Sequence, residues 1–150
     1  MERKMTQITI ETKHKLINFY QLISDVKAKG RQSRAITKFR KLLTEKLAEL
    51  QDDEKLLIAQ YYEVDDEGNA KKDDEGNPIS LEDVDTDSYT EDWDDLHDES
   101  VVIDLTEYQP YLPHLISSLL DWDQELSGAN AVIYDELLDL LEEIGTEDAE

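Results

Sequence analysis

The chain has 150 residues, 35% of them charged, and its 38 acidic against 15 basic side chains leave a formal net charge of -23. A hydrophobic content of 39% supports one modest core, and the absence of cysteine excludes a disulfide framework, a thiolate metal site and a cysteine nucleophile. So acidic a protein repels nucleic acid and anionic membranes and attracts basic proteins, and the first ten residues, with only Ile8 and Ile10 as strong apolar positions, lack the core of an export signal, so a cytoplasmic protein with no direct DNA binding and no membrane association is expected.

The charge is segregated along the chain. Residues 1 to 50 carry 12 Lys and Arg against 5 Asp and Glu, whereas residues 73 to 150 carry 26 acidic side chains and no Lys or Arg. From Thr12 to Lys29 the apolar residues Leu16, Phe19, Tyr20, Ile23 and Val26 recur at three- and four-residue steps, which predicts a helix capped by Thr12 and stopped by Gly30. A second helix is predicted from Ser33 to Tyr62 on the stripe Ile36, Phe39, Leu43, Leu47, Leu50, Leu57 and Tyr61, bent near Gln51 to Glu54 and paired with the first as a hairpin. Lys27, Lys29, Arg31, Arg34, Lys38, Arg40 and Lys41 gather around the connection between them. They read either as a solvated rim that offsets the acidic half or as a secondary contact to RNA or to an acidic patch on a partner.

The pentapeptide Asp-Asp-Glu-Gly-Asn stands at residues 65–69 and again at 73–77, the second copy followed by Pro78. Gly beside Asn suits positive φ, so both copies read as turns, flanked by short extended pieces at Tyr61 to Val64 and Ile79 to Leu81. Residues 63–90 as a whole read as a mobile acidic insertion in a single domain spanning residues 1–150. Glu91 to Glu99 reads as a short acidic helix that turns Trp93 and Leu96 inward, and the β-branched run Val101 to Leu105 as a strand. Tyr108 to Trp122 reads as a helix with Pro110 and Pro113 near its first turn, and Ser127 as the cap of a last helix to Glu143, with Val132, Ile133, Leu137, Leu140, Leu141 and Ile144 facing the core and Gly145 as its stop. The expected fold is mainly α, of the α+β class: a helical hairpin, further helices to a total of about five, and a small β element.

Little in the chain points to catalysis. Asp83, Asp85 and Asp87, with Asp94 eleven residues after Asp83, resemble a calcium loop superficially, but Ser88 stands where the sharp turn needs Gly, Asp94 replaces the bidentate Glu, and no helix precedes Asp83. His14, His97 and His114 lie in three different predicted elements without metal-ligand spacing. There is no glycine-rich phosphate loop, and carboxylate pairs in so acidic a chain carry no information about acid–base chemistry. A non-enzymatic protein with no cofactor and no metal is expected.

The acidity is concentrated. Glu91, Asp92, Asp94, Asp95, Asp98 and Glu99 place six charges in nine residues, or about one per 2.3 Å of helix, against about one per 1.7 Å of duplex DNA. Asp73, Asp74, Glu82, Asp83, Asp85 and Asp87 extend this track towards the amino terminus, while Tyr89 and Trp93 are aromatics among carboxylates, suited to stack on Arg or Lys of a basic partner. Self-repulsion makes such density costly, which favours a functional reason over mere solubility. The two helices that follow show ordinary amphipathic acidity.

The segments Lys15 to Val26, Lys29 to Leu50 (KGRQSRAITKFRKLLTEKLAEL), Asp74 to Pro78 (DEGNP) and Glu125 to Leu141 (ELSGANAVIYDELLDLL) resemble a family of small proteins, without an assigned function, found in phages of Gram-positive bacteria. The stretch Glu82 to Glu99 is matched least, and is similar to the anionic surfaces of DNA-mimic inhibitors, the anti-CRISPR type among them. The resemblance implies a phage inhibitor acting in the host cytoplasm, occupying the basic cleft of a defence nuclease. Its expected partner is a basic nucleic-acid-binding protein, in particular a type II CRISPR effector nuclease loaded with guide RNA, whose DNA binding it would block. The other class to weigh is a phage structural or assembly factor that binds a virion protein.

Overall fold

The structure, a computed structural model, describes residues 6–148. Its elements in chain order are β1 (Gln7–Ile10), α1 (Lys13–Asp25), α2 (Gly30–Tyr61), α3 (Thr86–Asp98), β2 (Val101–Asp104), a 3-10 turn at Gln109–Tyr111, α4 (Leu112–Asp121) and α5 (Gly128–Asp148). The mainly α architecture with a small β element is as expected, and no helix among the described residues is long and apolar enough to cross a membrane.

The β element is a two-stranded antiparallel ribbon in which Gln7 pairs with Asp104 and Ile10 with Val101. Alternation places Ile8 and Ile10 of one strand and Val101 and Ile103 of the other on the buried face. Beyond the ribbon, the Leu105 amide donates to the Thr6 carbonyl and the Thr6 amide donates to Thr106 Oγ1. The sequence reading missed β1, because a strand with only two apolar residues acquires its identity from the partner that covers it.

Helix α1 begins where Thr12 accepts the Lys15 amide with its side chain, an N-cap that satisfies an otherwise orphaned donor. It ends at Asp25, earlier than expected, because Val26 turns extended to bury its own side chain. Gly30 therefore does not stop α1. With φ of +57° it opens α2, which runs unbroken to Tyr61 past the expected bend. Leu16, Phe19 and Ile23 of α1, Ala35, Phe39 and Leu43 of α2, Leu115 and Leu119 of α4, and Leu137 and Leu141 of α5 meet the ribbon in one core. Tyr108 closes it, donating its hydroxyl to the Ala35 carbonyl, and burial pushes that phenol well above its ordinary pKa. The last helix continues through Gly145 instead of ending there.

A 32-residue helix is about 48 Å long at 1.5 Å per residue, and the buried residues of α2 extend only from Ala35 to Leu50. Its last eleven residues form an arm that leaves the core. At the tip of that arm the repeat folds into a clover. The Glu63 amide donates to the Ile79 carbonyl, the Ile79 amide to the Lys71 carbonyl, and the Lys71 amide to the Glu63 carbonyl, closing a ring of three backbone hydrogen bonds among residues eight apart. Each pentapeptide forms one leaf. Asp65 accepts the amides of Glu67 and Asn69, Asp73 accepts those of Glu75 and Asn77, and Gly68 and Gly76 both take φ of +85°. Residues 86–90, read from the sequence as part of an irregular insertion, are instead the first turn of α3.

Candidate functional site

Helix α3 lies along the arm of α2 and touches α1. Asp85 caps it, accepting the Asp87 amide and the Ser88 hydroxyl, and the preceding Asp83 holds φ of +62°, a left-handed turn that Asp tolerates better than most residues. The helix is attached by rings. Tyr89, Trp93 and His97, spaced four residues apart, form one stripe: Tyr89 meets Tyr61 and Tyr62 edge-on at 5.5 and 5.1 Å, Trp93 lies 5.8 Å from Tyr89 and 4.6 Å from His97, and His97 stacks on His14 at 5.1 Å. His97 is the only fully buried side chain of α3, its Nδ1 2.7 Å from the Trp93 carbonyl and its Nε2 3.4 Å from Glu54. Lys13 completes the attachment, 2.8 Å from Glu99 at the carboxyl end of α3 and 3.8 Å from Asp53 of α2.

This geometry sorts the carboxylates named from the sequence. Asp92 accepts the Tyr61 hydroxyl, which raises the pKa of that tyrosine, and Glu99 is bound to Lys13, so both serve the attachment. Asp73 is consumed by its own leaf and Asp85 by its cap. Asp74 stands at a leaf tip, and Glu82 and Asp83 in the turn before α3, all three exposed. Asp87, Glu91, Asp94, Asp95 and Asp98 are exposed, and among the described residues their carboxylates have no hydrogen-bond or ion-pair partner. At 100° per residue these five fall within an arc of about 100°, opposite the rings, along about 16 Å of helix. Their spacing, one charge per roughly 3 to 4 Å, is that of one DNA strand, about 3.4 Å, and not that of the duplex.

Tyr89 and Trp93, named as possible anchors for a partner's cations, are half-buried in the ring stripe, and burial raises the pKa of Tyr89. Asp83, Asp85, Asp87 and Asp94 do not converge, and no group of three His, Asp or Glu among the described residues is arranged to hold a metal ion. The contact between His14 and His97 went unseen in the sequence, although the four-residue spacing of Tyr89, Trp93 and His97 was a legible signal for the face that holds α3. Acidity is not confined to the middle of the chain either. Asp135, Glu136, Asp139, Glu142 and Glu143 share one face of α5 within about 120°, with Glu136 paired to Lys15 at 3.3 Å.

The basic residues lie towards the other end of α2. Arg31, Arg34, Lys38 and Lys41 form a second stripe within about 80° of helix, where the Arg34 guanidinium and Lys38 ammonium sit 5.9 and 5.1 Å from the ring centre of Tyr111. Arg40 lies beyond the edge of this stripe, 5.8 Å from the ring of Tyr20, whose pKa it lowers by hydrogen bonding. Lys29 is exposed at the start of the helix. The named residues thus separate into an anionic ridge and a cationic stripe, one towards each end of a single rod.

The family described as "Protein of unknown function (DUF1617)" matches residues 6–148, nearly the whole chain. The chain belongs to the DUF1617 family. The match agrees with the expectation of a family without an assigned function, and leaves the role of the DUF1617 fold to be argued from the ridge and the stripe. No curated protein and no solved structure matches the chain.

Proposed function

We propose that this DUF1617 protein is a phage-encoded, non-catalytic inhibitor that lays its α3 ridge in the nucleic-acid-binding cleft of a basic host protein. The observation that carries the reading is the sorting of carboxylates on α3: those that could be spared from folding are aligned on one exposed face, at the charge spacing of a nucleic-acid strand. A cleft selected to hold phosphates gains the same release of counterions from such a face. The target we propose is a defence nuclease, in the first instance a type II RNA-guided effector carrying its guide, acting in the host cytoplasm. Such an enzyme must read a short duplex motif with cationic side chains before pairing begins, so a ridge seated there prevents DNA binding without chemistry.

The test is capture from a host lysate at low and high salt, followed by a cleavage assay with the purified nuclease. A basic nucleic-acid-binding protein should be retained at about 50 mM salt and released by about 200 mM, with affinity falling at least about tenfold. Replacing Asp87, Glu91, Asp94, Asp95 and Asp98 by their amides should abolish inhibition while leaving the helical circular dichroism intact. Full inhibition by that variant sinks the reading, and co-purification with virions alongside unaffected nucleases would establish an assembly factor in its place.

A further inference from the structure

The cationic stripe meets rings within the fold but no carboxylate among the described residues. No acidic residue occurs between Asp25 and Glu45, a stretch that carries Lys27, Lys29, Arg31, Arg34, Lys38, Arg40 and Lys41. Of the other described lysines, Lys13, Lys15 and Lys46 are ion-paired and Lys55, Lys71 and Lys72 are not. Among the described residues none of the seven is ion-paired, in a chain with 38 acidic side chains. A surface meant only to offset net charge would intersperse the signs, since neighbouring opposite charges relieve repulsion most.

We propose that the solvent face of the first half of α2 is a sequence-independent site for the phosphodiester backbone of a single-stranded nucleic acid. Arg34, Thr37, Lys38, Arg40, Lys41 and Thr44 line an open depression of about 550 Å³ that contains no carboxylate. Cations and hydroxyls without base-reading groups are the equipment of backbone contact. A protein partner would call for an apolar centre to the interface, and the exposed large hydrophobics, Leu56, Val102, Leu120 and Val132, all lie outside this face. Tyr111 already has Arg34 and Lys38 over its ring, which rigidifies the cations and leaves the ring no free face on that side for a base. The neighbouring groove of about 630 Å³ between α2 and the segment after β2 adds Glu45, Asp104 and Glu107 to Lys38 and Lys41. A duplex on the stripe would bring its second strand towards those carboxylates, whereas a single strand can follow the cations and bend away.

The site goes beyond the inhibitory reading and is separable from it, since Lys41 and Glu54, the α2 residue beside His97 at the near end of the ridge, are 13 residues apart on α2, about 20 Å of helix. A rod with a cationic stripe and an anionic ridge suits a ribonucleoprotein, whose surface offers exposed phosphates and a basic protein cleft together.

Fluorescence anisotropy with labelled oligouridylate, oligothymidylate and a DNA duplex, each of about 12 nucleotides or base pairs, at about 25 mM salt tests the site. The protein should bind both single strands saturably, with a log–log salt slope of about -3 for four neutralised phosphates, and should bind the duplex at least tenfold more weakly. Tighter binding of oligouridylate than of oligothymidylate would assign the ribose backbone, and equal binding the phosphodiester alone. Arg31→Gln with Lys41→Gln, neither of which touches an aromatic ring, should weaken binding about tenfold at unchanged melting temperature, and adding Arg34→Gln and Lys38→Gln should remove it. Neutralising the α3 ridge should leave oligonucleotide binding equal or tighter. No binding by the wild type, unchanged binding by the stripe variants, or equal affinity for the duplex overturns the assignment. Because the ridge is scored by nuclease inhibition and the stripe by oligonucleotide binding, failure of one leaves the other standing.

Discussion

Helices α3 and α5 each present five carboxylates on one face, but they are held to the molecule by different forces. Helix α5 buries Leu137, Leu141 and Ile144 against α1, α4 and β1, so its acidic side is what remains exposed once a core helix has been built. Helix α3 buries one side chain completely, His97, and otherwise leans on half-buried rings and on the Lys13 bridge. The core gives little reason for α3 to exist, and self-repulsion along its outer face opposes it. A peripheral helix that carries repulsive charge and contributes little burial is better explained by what it offers outward than by what it does for the fold.

The comparison breaks most visibly through charge. Asp135, Asp139 and Glu143 of α5 replaced by their amides should leave capture of a basic partner at low salt intact, whereas neutralising Asp87, Glu91, Asp94, Asp95 and Asp98 should lower it more than tenfold. Equal losses in the two pull-downs would mean that net charge alone matters. Next in size, Leu141→Ala should cost about 2–5 kcal/mol in urea unfolding, as for other fully buried leucines. Trp93→Ala, at a half-buried site, should cost less globally but accelerate amide exchange in α3 while α5 stays protected. Uniform acceleration would show that α3 is as integral as α5. Asp85→Ala should remove the cap for about 1 kcal/mol, again with the loss concentrated in α3. The smallest effect is alkaline. Tyr61, through its bond to Asp92, and Tyr89 and Tyr134, through burial, hold their protons more tightly folded than unfolded. Stability is therefore full below about pH 10, the ordinary phenol value, and declines as pH rises towards the folded values. Tyr61→Phe should make the fall in melting temperature above about pH 10 shallower.

Periodicity made the core helices legible. Leu16, Phe19 and Ile23, or Leu137, Leu141 and Ile144, announce a buried face from the sequence because the information is local. Gly30 was misread because a glycine between two helices serves as a plausible stop for the first and start of the second, and only the extended, buried Val26 decides between them. The turns of the repeat were legible, but the ring joining Glu63, Lys71 and Ile79 was not, since each of its bonds pairs backbones whose side chains carry no signal. The acidic residues were visible as a group and not as individuals. What separates Asp92 and Glu99 from Asp94 and Asp98 is a tyrosine 31 residues away and a lysine 86 residues away, which no local pattern records.

The clover also decouples length from position. The chain leaves for the first leaf at Glu63 and returns at Ile79 to a residue bonded directly to Glu63, while the Leu81 amide donates to the Tyr61 carbonyl just beneath. The residues in between are a closed excursion that begins and ends at this hydrogen-bonded gate, and its first leaf also rests on the arm, where the Lys55 side chain lies beside Gly68. A peptide tag spliced into the second leaf at Glu75 and Gly76, where the glycine faces open space, would hang from that gate and leave the register of α3 on the arm untouched, which makes the leaf a natural handle for labelling the protein without disturbing either charged surface.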